Sequence, residues 1–446
     1  MKTGITKRNL EQFSDAFAQE KGNLIARNAV TANGVHAAAK NPEAKGNNAF
    51  AFSVEVEAGK VCNQKQSGRC WMFASYNVMR LEIMKKLNLE QMELSQCYPL
   101  FYDKLEKANH FLENMIELID EPISSRTICF LLEDPMEDGG QWDMFRSIVA
   151  KYGVVPKDVM PETAVSEKTH EMDVYLTKKL REFATVLRKK HEAGADVTEL
   201  RKEKKQMMET IYRILAICLG EPPMKFTWET RDKDKKFIRI ENITPQDFFA
   251  QYVGWNLDNY VTVINAPTKD KPYGKTYTVQ YLASVHDAKY PVKYLNLPMD
   301  DLRKLVIKQL KDDKAVWFGS DVGQFSDRKG GFLTMDVLQI GKLFDTEFPM
   351  TKEERLDYGD SCMTHAMVIT GVDLDAKGKP VRWKVENSWG EDVGEKGYFV
   401  MDDAWFGEFA FQILLEKKYL NKEQKKQFEE EPIVLKPWDP MGSLAF

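Results

Sequence analysis

The chain has 446 residues, 43% of them hydrophobic and 29% charged, which is enough for a large core and more than one structural unit. A net charge of -5 argues against a general nucleic-acid binder, and no apolar run approaches the ~20 residues that a membrane-spanning helix needs. The first residues, Met1 to Lys7, continue into polar sequence with no signal-peptide apolar stretch, so the expected location is the cytoplasm.

Residues 6–19 read as a short amphipathic helix. A small-residue segment follows, through Asn33-Gly34 and Pro42, like an arm laid over a surface. Ser67 and Gly68 then lead into a strongly helical stretch from Cys70 to about Leu87, with apolar or small residues at Phe73, Ala74, Val78, Leu81 and Met84. A second helix is expected over 95–119, with Ser95 as its cap. Glu137-Asp138-Gly139-Gly140-Gln141-Trp142 breaks the pattern, either as a turn or as a place where another backbone comes close. Asp143 is placed to cap the next helix, which ends near Tyr152-Gly153.

Residues 167–219 read as two antiparallel helices parted by Gly194. Leu176, Leu180, Phe183 and Leu187 recur at helical spacing, as do Met208, Ile211, Leu215 and Cys218. Their charge run, with lysines from Lys178 to Lys205, reads as a solvated face; the alternative is a basic surface for a nucleic-acid partner. Strands are expected at 226–229, 237–240, 261–264 and 277–279, a short helix from Pro245, an amphipathic helix over 300–310 and a buried strand over 315–319. Segments 363–371 and 381–390 form a hairpin about the 375–380 turn, whose register sets His365 beside Asn387. Three prolines stiffen residues 431–446 into an extended arm whose apolar side chains call for a docking surface.

Cys70, His365 and Asn387 form a chemical set. A thiol at a helix N-terminus feels the positive end of the macrodipole, which favours the reactive thiolate. A thiol nucleophile needs a base, and the base needs an orienting group. His365 fits the first role and Asn387 the second, with Trp389 covering their hydrogen bond. Gln64, a short loop upstream, can place its amide beside the Cys70 N–H as an oxyanion hole. Each residue also has a plain reading: a small buried hydrophobe, a strand histidine, a hairpin-end asparagine. The six cysteines (Cys62, Cys70, Cys97, Cys129, Cys218, Cys362) show no CxxC pairing and read as reduced thiols. The six histidines show no metal-ligand spacing, and no P-loop or dinucleotide fingerprint is present, so neither metal nor cofactor is expected.

Gln64…Cys70-Trp71, His365-Ala366 and Asn387-Ser388-Trp389-Gly390 resemble the motifs of papain-fold cysteine peptidases. Ser67-Gly68-Arg69-Cys70-Trp71, the large insert before His365, and Trp438-Asp439-Pro440-Met441-Gly442 resemble the bleomycin hydrolase and aminopeptidase C branch, over essentially the whole chain. The resemblance implies an α+β fold: a helical subdomain and an antiparallel β-barrel-like subdomain, with a large helical insert and a C-terminal arm. The expected organisation is an N-terminal arm and helical half over 1–160, a mainly helical insert with a β-hairpin over 161–300, a β half over 301–430, and the arm over 431–446. The implied catalytic set is Cys70, His365 and Asn387 with Gln64 at the oxyanion, and the implied substrate-binding residues are Gly139, Gly140, Trp389, Ala445 and Phe446.

The implied activity is that of a cytosolic cysteine aminopeptidase acting on peptides with a free N-terminus. The branch forms homohexamers with active sites facing an inner chamber, and its arm lies in the cleft with the terminal carboxylate pairing the substrate's amino group. Ser67 stands where secreted papain-like enzymes carry a disulfide cysteine, which matches a reducing compartment. Relatives end close to Met-Gly-x-Leu-Ala, whereas this chain adds Phe446, which would move the carboxylate or crowd the first substrate site. An endopeptidase with a displaced arm is therefore the alternative within the same chemistry, and a non-catalytic scaffold the alternative outside it.

Overall fold

The computed structural model describes residues 3–445. Its organising element is the helix Cys70–Leu87, in which residues 70–81 are all buried. A helix buried on every side belongs inside a core, and two of its polar members, Ser75 and Arg80, are bonded within it. Ser75 Oγ donates to the Trp71 carbonyl at 2.7 Å, and the Arg80 guanidinium donates to Glu386 Oε1 at 2.7 Å and to the carbonyls of Ala58 and Lys60. Both members of the Arg80–Glu386 pair are almost fully buried. Glu386 immediately precedes Asn387, so this one pair ties the helix to the strand end that carries the site. Asn88 ends the helix in the left-handed region, φ 53°, where asparagine is tolerated better than most residues.

One side of this helix meets the strand His365–Leu374, and another meets the helix Trp142–Tyr152. The helix Cys97–Glu117 packs in turn on Trp142–Tyr152 and on the two insert helices, His170–Glu192 and Val197–Leu219. Gln96 occupies its N-cap, one residue past the expected Ser95, whose Oγ accepts the Tyr98 N–H at 3.1 Å. Leu176, Leu180 and Leu187 are buried along one insert helix, and Met207, Ile211 and Leu215 along the other. Gly194, at φ 98°, makes the turn between them. Part of their charge is neutralised within the fold, by Lys179–Glu182, Lys190–Glu203 and Lys204–Glu113 pairs.

Among the described residues the strands form a twelve-stranded sheet and a separate hairpin, Phe226–Arg231 with Phe237–Ile243. Its centre runs, in hydrogen-bonded order, Tyr260–Ile264, Ala410–Glu416, Val316–Ser320, His365–Leu374, Pro380–Glu386, Tyr398–Asp402, with every neighbouring pair antiparallel. Shorter strands extend both edges, partly in parallel, and the last of them is Ile433–Leu435 of the arm, paired with Thr276–Val279. The sheet thus joins strands from the 161–300 region, the 301–430 region and the arm. In the expected hairpin, Val368 faces Glu386 and Ile369 faces Val385, which leaves His365 and Asn387 at the same end.

Two local expectations are corrected. The small-residue segment after Gln19 is helical, Lys21–Asn33 and Val35–Ala39, broken at Gly34 with φ 85°. Its alanines favour helix, and no proline interrupts it before Pro42. Asp143 does not cap its helix. Gln141 occupies that position, and the buried Asp143 carboxylate accepts from Arg146 at 3.2 Å, Thr262 at 3.2 Å and the Lys293 N–H at 3.3 Å. Tertiary donors hold the carboxylate where a local cap was expected.

Candidate active site

Arg69 occupies the N-cap of the nucleophile helix, so Ser67 and Gly68 do not cap it as expected. They brace the loop before it. The Gly68 N–H donates to Asp138 Oδ2 at 2.7 Å, and Ser67 Oγ donates to the Gln64 carbonyl at 2.7 Å. Arg69 is fixed by Ser67 Oγ at 2.9 Å and by an ion pair with Glu162 at 2.9 Å.

Cys70 is fully buried, and its sulfur accepts the Ala366 N–H at 3.4 Å. The thiol therefore lies against the first residues of the strand that opens with His365. His365 Nε2 donates to Asn387 Oδ1 at 2.9 Å, which assigns the proton to Nε2 and the exchanging position to Nδ1. The same Asn387 oxygen accepts the Ser388 N–H at 2.8 Å. Trp389 stacks on the imidazole, with centroids 4.9 Å apart and planes 30° apart. The three residues expected to act together are thus brought together, 296 positions apart in the case of Cys70 and Ala366.

The helix terminus pulls the thiol toward thiolate as expected, through the Trp71 N–H, but burial outweighs that pull. Burial pushes the Cys70 thiol up to about 12, against the pull of the Ala366 and Trp71 N–H groups.

Gln64 is buried and held at three points. Its backbone N–H donates to the Ser388 carbonyl at 2.8 Å, its Oε1 accepts from Ser388 Oγ at 2.5 Å, and its Nε2 donates to the Ser67 carbonyl at 2.7 Å. The Ser67 carbonyl, which can only accept, fixes which end of the amide is the donor end, and Ser388 Oγ holds the other end in place. Sequence reasoning missed this role; the only signal was the position of Ser388 inside Asn387-Ser388-Trp389-Gly390. Replacing Ser388 by alanine is expected to lower kcat about tenfold with an unchanged melting temperature, through loss of one orienting hydrogen bond. A change in kcat below about twofold would remove the role.

The opposite lip of the cleft is Asp138 to Gln141. Trp71 Nε1 donates to the Asp138 carbonyl at 2.9 Å, and the indole packs so closely on Gly140 that a Cβ there would lie 2.5 Å from it. Lys107 Nζ donates to the Gly139 carbonyl at 2.6 Å. Gly140 then exchanges two backbone hydrogen bonds with Ala445: Gly140 N–H to the Ala445 carbonyl at 3.1 Å, and Ala445 N–H to the Gly140 carbonyl at 3.3 Å. Gln141 Nε2 clamps the arm further, donating to the carbonyls of Met441 at 3.1 Å and Ser443 at 2.7 Å. Lys271 holds Asp439 at 2.9 Å, and Arg126 lies 3.7 Å over the Trp438 ring. The arm is docked along the lip with Ala445 fully buried. Phe446 lies outside the described residues. Elsewhere, Glu113, Glu117 and His286 bring ligand atoms within 4.8 Å of one another, but Glu113 is already paired with Arg201 at 3.0 Å and with Lys204.

The Peptidase C1-like family matches residues 4–442. The chain belongs to that family. It is 49% identical over 445 residues to Aminopeptidase C of Listeria monocytogenes, covering 100% of both chains. To Aminopeptidase C of Streptococcus thermophilus it is 49% identical, over 97% of each. Human bleomycin hydrolase is 43% identical over 403 residues, 89% of this chain and 88% of that one. The crystal structure of PepW from Lactobacillus rhamnosis HN001 superposes with a TM-score of 0.98 at 50% identity, over 100% of each chain. The protein is a papain-like cysteine peptidase of α+β fold, in the branch that the bleomycin hydrolase and aminopeptidase C relatives define.

Proposed function

We propose that this cysteine aminopeptidase releases residues one at a time from free N-termini, through an acyl-enzyme on Cys70. In the covered cleft the thiol alone keeps its proton, so ionisation occurs as a pair: His365 Nδ1 takes the proton as the sulfur attacks the first peptide carbonyl. Gln64 Nε2 and the Cys70 N–H receive the developing oxyanion. The imidazolium then protonates the leaving amine, and the shortened peptide departs. A water that gives its proton to His365 attacks the thioester, the carbon–sulfur bond breaks, and the amino acid leaves while the thiol regains its proton. Asn387 holds the ring throughout without adding a charge.

The observation that carries the exopeptidase reading is the two-bond pairing of Ala445 with Gly140. The backbone that would receive residues upstream of the scissile bond is already taken by the arm, which leaves a free N-terminus as the end of a substrate that can approach. The test is hydrolysis of one fluorogenic aminoacyl substrate with a free and with an acetylated N-terminus. Cleavage of the free form alone supports the reading; comparable cleavage of both assigns an endopeptidase.

The same proposal places the enzyme in the cytoplasm as a homo-oligomer, a hexamer on the branch pattern. Among the described residues, no helix is long and apolar enough to cross a membrane. The capped helix Lys7–Gln19 exposes Leu10, Phe13 and Phe17 on one face and buries none of its residues, a face that a second copy would cover. Sedimentation at the mass of a single 51.5 kDa chain would exclude the oligomer.

A further inference from the structure

With Ala445 paired to Gly140, a substrate that reaches Cys70 has its first residue between the arm and the sulfur. Against the loop that leads into Cys70 lies a cavity of about 510 Å³. Its near wall is formed by Gln66, Ser67 and Gly68, the residues that lead into Cys70, and by Glu137 and Asp138 of the opposite lip. Its far wall is the start of the insert helix His170–Glu192.

Carboxylates dominate its inner surface. Asp138 and Asp173 share the single ammonium of Lys104, at 2.9 Å and 2.7 Å, and burial with the neighbouring Asp138 pushes the Asp173 carboxyl up to about 7. The Glu137 carboxyl is desolvated and raised above its ordinary range, and no ion pair holds it among the described residues. Its nearest ammonium, Lys107, is committed to Asp103 at 3.0 Å and to the carbonyls of Glu137 and Gly139. Glu133 and Asp134 add two exposed carboxylates on the same side. The cations, Lys178 and Arg181, are exposed, and Arg181 is spent on the carbonyls of Leu132 and Glu133.

We infer that this cavity receives the side chain of the substrate's N-terminal residue and selects a long cation, arginine or lysine, through Glu137. The inference rests on the aminopeptidase reading. Glu137 lines this cavity from the lip and Asp173 from the insert helix, so a long cation gains contacts that a short residue cannot reach, and an anionic one meets like charge.

The test compares arginyl, citrullinyl, leucyl and glutamyl aminomethylcoumarin substrates, all with free N-termini, on the intact protein. Citrulline keeps the shape of arginine without its charge. The expected kcat/KM ratio of arginyl to citrullinyl substrate is about tenfold or more, and Glu137→Gln brings it near one. Turnover of the citrullinyl substrate by that variant reports that it is folded. Glu137→Lys is expected to gain glutamyl turnover, which a merely damaged protein would not do. A wild-type ratio near one overturns the inference while citrullinyl and leucyl cleavage leave the aminopeptidase reading standing. A ratio that Glu137→Gln does not lower overturns it as well. Failure on every free-amino substrate overturns the aminopeptidase reading and this inference with it.

Discussion

Replacing Cys70 by alanine is expected to lower turnover by about 10⁶-fold, the scale seen when a peptidase loses its nucleophile. The fold is expected to survive. The sulfur accepts a weak hydrogen bond from the Ala366 N–H, and removing so small a buried group costs about 1 kcal/mol, or about one degree of melting temperature in a chain of this size. The two outcomes together separate a catalytic thiol from a packing one. A small apolar residue whose only task was to fill space would lose stability and keep its rate. Turnover that persists in the alanine variant, in a preparation free of other peptidases, would sink the assignment.

Removing residues 443–446 is expected to open the enzyme to blocked peptides. The wild type should leave an acetylated peptide at background, and the shortened chain should cleave it about 10²-fold above that, because the Gly140 backbone and Gln141 amide are freed to hold a substrate. Cleavage of free aminoacyl substrates should fall as the partner for their ammonium is lost. The deletion stops short of Asp439 and the Pro440–Gly442 turn, so the Lys271 ion pair and the Met441 packing keep the rest of the arm in place. If the shortened protein still rejects acetylated peptides, the arm does not gate the cleft, and selectivity must come from the lips themselves.

Much of this site was legible before any coordinates, where the signal was local. The helix Cys70–Leu87 starts and stops where its apolar pattern does, and the hairpin that pairs His365 with Asn387 follows from two strands and a short turn. The arm announced itself through prolines and stranded apolar residues. The unread parts are contacts between distant segments. Ser388 reaches Gln64 across 324 positions and Gln141 reaches Ser443 across 302, and neither polar residue carries a neighbouring pattern that would betray its partner. Asp143 shows the same limit from the other side: a good local cap was redirected by Arg146, Thr262 and Lys293. The thiol's environment also escaped, since helix position is written in the sequence but depth of burial is not.

The docking of Ala445 in the cleft has a practical consequence for anyone producing the protein. A purification handle fused at the carboxyl end would begin one residue past Ala445, which is paired with the cleft lip, so it would crowd the cleft and compete with substrate. A handle at the other terminus avoids both, so two preparations identical in every folded residue would differ in measured activity according to which end was engineered.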